Sequence, residues 1–332
     1  MMRGCARHVA WRLLIVVAAL ILTSCAGRGR PAGGSESEAA TPTNLERRGK
    51  GLTRSEVPES SPATREWIWA PYLYRDPATP QERAQPDIST PGPDTANFPN
   101  SAFTLPEGRF YFENSPVGYY SATQRTAPQY DWELFLRYGV TDNLEFRLFT
   151  NGLTVVEGAP TTVGFSPLTF DVKYQIWEEN LAYRIPAVAL ETYVQTTWGS
   201  SSLSNHTQWA WSVNLDHTLP FGLGLEWNIG LTSIFLNHES NLVEETLSWS
   251  LQRDLTEDVA LFVHGYHNGA ALPRGSTVRA DRDGLFRSFN GQVFGAGATW
   301  TLDDTLEVFG SANAGIGDAP GFIGLAGFAV AF

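Results

Sequence analysis

Much of the chain alternates apolar and polar residues with a period of two. In residues 131–152, Trp132, Leu134, Leu136 and Tyr138 interleave with Glu133, Phe135 and Arg137. Past Thr141, Asp142 and Asn143, the residues Leu144, Phe146 and Leu148 interleave with Glu145, Arg147 and Phe149. Successive side chains of an extended backbone point to opposite faces, so this pattern predicts two strands joined by a turn, each with one apolar and one mixed, charged face. It recurs at residues 108–115, 167–177, 187–198, 208–219, 223–235, 243–252, 259–267, 289–302, 305–315 and 321–332, about twelve strands with the first hairpin included. The last of these, GFIGLAGFAVAF, is uncharged on both faces. An edge of that kind templates aggregation in water unless another strand covers it. Closure of an even set of antiparallel strands removes every edge, and the fold class expected is all-β: an antiparallel up-and-down transmembrane β-barrel over residues 101–332. For the last stretch alone, a buried strand of a soluble sheet is the alternative.

Connector lengths agree with the barrel. Those at 140–143, 219–222, 254–258 and 303–304 are short, with 178–185 the one longer member, and they alternate with longer ones at 151–166, 199–207 and 268–288. Short periplasmic turns and long external loops give this alternation when both barrel termini are periplasmic. Trp132, Tyr138, Trp177, Trp198, Trp209, Trp249 and Trp300 lie where interfacial aromatic girdles or simple β packing would place them. The ending resembles the assembly signal of outer-membrane barrels, carried by Gly327, Val330 and Phe332, which the barrel-assembly machinery reads; Leu325 departs from it, standing where such signals carry a polar residue.

Residues 1–25 have the form of a secretory signal: basic Arg3, Arg7 and Arg12, an apolar run at 13–22, then Leu-Thr-Ser-Cys. That ending resembles a lipobox, which would make Cys25 the acylated amino terminus; cleavage by ordinary signal peptidase after Ala26 is the other reading. Residues 26–100 are rich in Gly, Ser, Pro, Thr and Glu, the composition of a disordered periplasmic linker, interrupted by an aromatic patch at 66–75. The formal charge of -12 becomes -15 once the arginines of the leader are removed, the wrong sign for a nucleic-acid partner. The chain's 2 cysteines, Cys5 and Cys25, both belong to the leader region, which leaves the rest without a disulfide or thiolate metal site. No cofactor or metal is expected.

The inward phase collects Glu133, Arg137, Glu145, Arg147, Asp171, Lys173, Glu191, Asp216, Glu226 and Glu244. A hairpin centred on Thr141 would set Arg137 opposite Glu145. This wall reads either as the selectivity lining of a narrow pore or as a salt-bridged filling that rigidifies the barrel and conducts nothing. Residues 93–113, with Phe98-Pro99-Asn100-Ser101 and Phe103-Thr104-Leu105-Pro106, and the stretches 136–145 and 171–175 resemble the MetA-pathway phenol-degradation family of outer-membrane proteins. The resemblance runs over 93–332 and implies an outer-membrane barrel with a transport role. The function expected is passive passage of a small solute, hydrophobic or aromatic, with outer-membrane lipid and lipopolysaccharide as surroundings. A closed structural or adhesive barrel, with the charged loop 268–288 as its working surface, is the alternative. A hydrolase built on His238, Glu239, Ser240 and His264 is the third; no nucleophile elbow or metal-ligand spacing accompanies them, so the chain is read as not an enzyme.

Overall fold

The computed structural model describes residues 86–123, 126–203, 207–236, 240–269 and 291–332. These hold the strands β1 (Phe110–Tyr120), β2 (Gln129–Thr141), β3 (Leu144–Val156), β4 (Thr162–Phe165), β5 (Thr169–Trp177), β6 (Ala187–Gln195), β7 (Gln208–Leu219), β8 (Leu223–Leu236), β9 (Ser240–Asp254), β10 (Val259–His267), β11 (Gly291–Asp303), β12 (Leu306–Gly317) and β13 (Ile323–Ala331). All but β4 pair antiparallel with their neighbours in chain order, and β1 pairs with both β2 and β13, so twelve strands close on themselves. The expected fold class is the one observed, and no edge remains in the closed ring. β4 lies outside it, pairing only with the far end of β3.

Alternation sorts the side chains as the sequence pattern requires. Trp132, Leu134, Tyr138, Phe146, Val172, Tyr174, Leu190 and Ile229 stand exposed on the outer surface, while Glu133, Phe135, Arg137, Glu145, Arg147 and Phe149 are buried within. An apolar outer band around a polar interior is what a barrel wall needs when hydrocarbon surrounds it.

The structure corrects several expectations. β1 does not stop at residue 115 but runs to Tyr120 through a bulge between Asn114 and Val117. Pro116 lies in that bulge, where its missing N–H interrupts the ladder least. Part of the expected loop 151–166 is strand: β3 extends to Val156 and folds back on β4. The register of the β2–β3 hairpin is shifted too. The tight turn is Asp142-Asn143 and a bulge absorbs Val140, so Arg137 faces Arg147, and Glu145 faces Gly139.

The largest departure lies before β1. Residues 86–100, expected to end the linker, pack with 101–107 inside the barrel as a re-entrant segment. It enters at the rim made by the short turns, where the Ile88 N–H donates to the Asp304 carbonyl at 2.8 Å, and leaves at the same rim, where the Thr104 hydroxyl donates to the Asp142 carbonyl at 2.8 Å. Polar composition does not keep this stretch solvated, because the wall supplies the hydrogen bonds that water otherwise would. The leader, Cys25 and the aromatic patch lie outside the described residues.

Candidate functional site

The site is the lumen and the segment within it. A chain crossing a lumen without regular structure carries backbone N–H groups that no ladder satisfies. Here inward carboxylates of the wall accept them. Glu113, on β1, takes the Asp94 N–H at 3.2 Å, the Thr95 N–H at 2.8 Å and the Thr95 hydroxyl at 2.6 Å. Asp216, on β7, takes the Ser101 hydroxyl at 2.7 Å and the Ala102 N–H at 3.1 Å, and Glu145, on β3, takes the Leu105 N–H at 2.8 Å.

At the tip, Asn100 and Asn228 exchange bonds as two strands would: the Asn100 N–H donates to the Asn228 side-chain oxygen at 2.6 Å, and the Asn228 amide donates back to the Asn100 carbonyl at 2.8 Å. The Asn100 side chain donates to Glu191 at 2.6 Å, and Asn97 donates to the half-buried Glu226 at 2.7 Å. His264 Nδ1 accepts the Phe98 N–H at 3.2 Å, which assigns the ring hydrogen to Nε2, 2.6 Å from the Asn313 side-chain oxygen. The Phe98 ring stacks on His264 at 4.1 Å and meets Tyr266 edge-on at 4.8 Å, within a patch that includes Val293, Ile323 and Leu325.

Charge concentrates halfway along the segment. Asp94 approaches three wall cations: Lys173 at 2.7 Å, Arg147 at 3.1 Å and Arg137 at 3.6 Å. Burial alone would raise the Asp94 carboxyl, but Arg137, Lys173 and Arg147 outweigh it and hold the group well below the usual carboxylate range. Arg137 is also gripped by the wall, with Nε and Nη2 on the two oxygens of Glu145 at 2.7 and 3.2 Å and Nη1 on Glu113 at 3.1 Å. Arg147 sits among Glu191, Asp171 and Glu145 at 2.9, 3.2 and 3.5 Å. These contacts explain how two arginines can face each other across a hairpin: each is matched by carboxylates from neighbouring strands.

Of the residues read from the sequence as lumen lining, Arg137, Glu145, Arg147, Asp171, Lys173 and Glu191 come together in this cluster. Glu133 stands apart from it, accepting the Tyr120 hydroxyl at 2.9 Å, and Glu226 serves the tip. Sequence reasoning missed Asp94, Glu113, Asn100 and Asn228. The available signal was the surplus of inward carboxylates over inward cations, which called for donors other than side-chain charges. At the end of the chain, Gly327 faces inward against the Asn114 carbonyl, and the exposed Phe332 ring lies 5.8 Å from Phe110. His238, Glu239 and the arginines of loop 268–288 lie outside the described residues.

Residues 93–332 match the model of the family described as "Putative MetA-pathway of phenol degradation". The chain belongs to that family. The match begins at Pro93, so in this member of the phenol-degradation family the stretch from Asp94 to the start of β1 is part of the family's domain. Among solved structures, the COG4313 outer membrane channel from Pseudomonas putida F1 is similar, with a TM-score of 0.52 and 13% identity over 70% of this chain and 99% of that one. The KdgM porin in complex with disordered oligogalacturonate follows at a TM-score of 0.43 and 6% identity, covering 68% and 99% of the two chains. The NanC porin has a TM-score of 0.40 and 10% identity, covering 67% and 98%. No curated protein matches the chain in sequence.

Proposed function

We propose that this protein is an outer-membrane channel for small, largely apolar or aromatic solutes, closed at rest by its own residues 86–107. The observation that carries this reading is Asp94 clasped by Lys173, Arg147 and Arg137 inside the lumen. A solute passes only when that clasp opens. The apolar outer face supports a membrane setting, as does likeness in fold to a protein described as an outer membrane channel. One side of the lumen, built from β10, β11 and β13, is lined by Phe262, Val293, Ile323 and Leu325 and would favour an apolar body. On this reading the short-turn rim is periplasmic, lipopolysaccharide surrounds the outer half, Gly327, Val330 and Phe332 serve recognition by the assembly machinery, and Cys25 either anchors the chain through a lipid or leaves with the leader.

The number of bonds holding the segment favours a second reading, a permanently closed structural barrel. Cross-linking separates the two. Ala102 of the segment packs with Ala187 and Ala189 of β6. The double variant Ala102→Cys, Ala189→Cys, closed with a short bis-methanethiosulfonate that forms a disulfide to each cysteine and releases methanesulfinate, should lose solute flux into vesicles and recover it when a reductant cleaves the disulfides. Equal flux in the locked and released states would sink the gated channel, and absence of flux in both would favour the structural barrel.

A further inference from the structure

Lys173 is buried, and among the described residues its ammonium bonds only to the re-entrant segment: Asp94 at 2.7 Å and the Phe103 carbonyl at 3.4 Å. Arg147 is equally buried. Its ion-pair distances are short, yet none of its guanidinium nitrogens makes an aligned hydrogen bond, whereas Arg137 binds both oxygens of Glu145 in the forked geometry a guanidinium prefers. Asp94 is therefore held at Arg147 by charge without the directional bonds available to a better-placed carboxylate. Withdrawal of the segment takes both bonded partners from Lys173 and one carboxylate from Arg147. The same movement lifts Phe98 from His264 and Tyr266, baring an aromatic and apolar patch.

We propose that Arg147 and Lys173 form a carboxylate-binding site in the barrel wall, that Asp94 occupies it only while the segment is docked, and that the solutes admitted are organic carboxylates with an apolar body. The proposal rests on the gated-channel reading and deepens it. An incoming carboxylate takes the place of Asp94, supplies the aligned bonds that Arg147 lacks, and meets the apolar patch with its body. Asp94 is the resident competitor, tethered at high effective concentration. The segment thereby closes the lumen against solutes that cannot compete for its anchor.

The test uses the full-length protein in phospholipid vesicles with Ala102→Cys as a reporter, labelled by a water-soluble maleimide and read by the mass of the peptide bearing residue 102. 4-Phenylbutyrate should accelerate labelling about tenfold at saturation, as expected when a tethered competitor is displaced, and the neutral 4-phenylbutyramide should not. Asp94→Asn, which leaves every wall residue in place, should lower the half-maximal acid concentration by about tenfold, because the tethered rival is weakened. Lys173→Met should abolish the acid response while heat-modifiable migration persists. Equal acceleration by acid and amide, or an unchanged half-maximal concentration in Asp94→Asn, overturns the carboxylate site. Flux of 4-phenylbutyrate through the cross-linked and released barrels keeps the two readings apart. A difference there without an acid response here removes the carboxylate site alone, and no difference there removes the channel as well.

Discussion

Arg147 illustrates how a charge is kept inside a protein wall. Removing one partner from a buried ion cluster costs about 3–5 kcal/mol, because the charge left behind has no water to turn to. The cluster should therefore hold until its carboxylates protonate. For Asp94 the sign is clear. Its carboxyl is depressed in the docked state, so the stability it confers is whole above the ordinary value of 3.8 and is lost only as pH falls through the depressed one. Conductance of the refolded protein should accordingly show no opening attributable to Asp94 from neutrality down to about pH 4, with opening beginning only in stronger acid. A rise near neutrality that survives in Asp94→Asn would assign the gate to another group. Gly139 offers a steric counterpart. A Cβ there would lie 2.0 Å from the Pro106 carbonyl oxygen and 2.6 Å from that of Leu105. Gly139→Ala should loosen the exit of the segment by about 1–3 kcal/mol, the usual cost of overpacking, seen as faster amide exchange at residues 105–107. At this scale the inward phase of Arg137, Glu145, Arg147 and Lys173 was legible from alternation alone. The pairing of Arg137 with Arg147 was not, because a bulge at Val140 moves the register and no periodicity announces a bulge.

Among elements, the strands and the re-entrant segment differ in how much they disclose beforehand. A strand declares itself locally: Trp209, Trp211, Val213 and Leu215 of β7, and Val259, Leu261 and Val263 of β10, recur at every second position, and the expected bounds of both strands match the observed ones. The segment is defined by partners far along the chain, with Asn100 bonded to Asn228 and Phe98 to His264, at separations of 128 and 166 residues. Its prolines, Pro99 and Pro106, correctly forbid helix, but its Asn, Ser and Thr read equally well as a solvated linker until the wall that satisfies them is known. Asn228→Leu tests that dependence. The change keeps the volume and removes both bonds to Asn100, each worth about 1 kcal/mol net, so exchange at the tip should rise by roughly tenfold or more while strand amides stay protected. Uniform acceleration across the barrel would mean that Asn228 stabilises the wall and does not act through the tip.

For the molecule as a whole, inside and outside are set by one alternation, and substitutions on successive residues should obey opposite rules. Leu190 on β6 faces out and Ala189 faces in. Leu190→Arg should cost about 2–4 kcal/mol of refolding stability in vesicles if it lies near the bilayer midplane, measured by denaturant titration. Ala189→Ser should cost less, about 1 kcal/mol, since its cross-strand neighbours Gln175 and Asn214 can bond a hydroxyl that the methyls of Ala102 and Ala187 cannot. Similar costs at both positions would contradict the assigned faces.

The re-entrant segment crosses the same rim on its way in and out. Topologically, residues 86–107 form a loop laid into a cup, entering and leaving at one rim. It can therefore be seated after the ring of strands has closed, lifted out whole, and seated again, without unravelling a single strand pair. Since His264 and Asn228, which it must find, are contributed long after the segment itself is synthesised, the wall has to be finished first. The barrel is built hollow and stoppered last, and for the gated channel proposed above the same order run backwards is the route of opening.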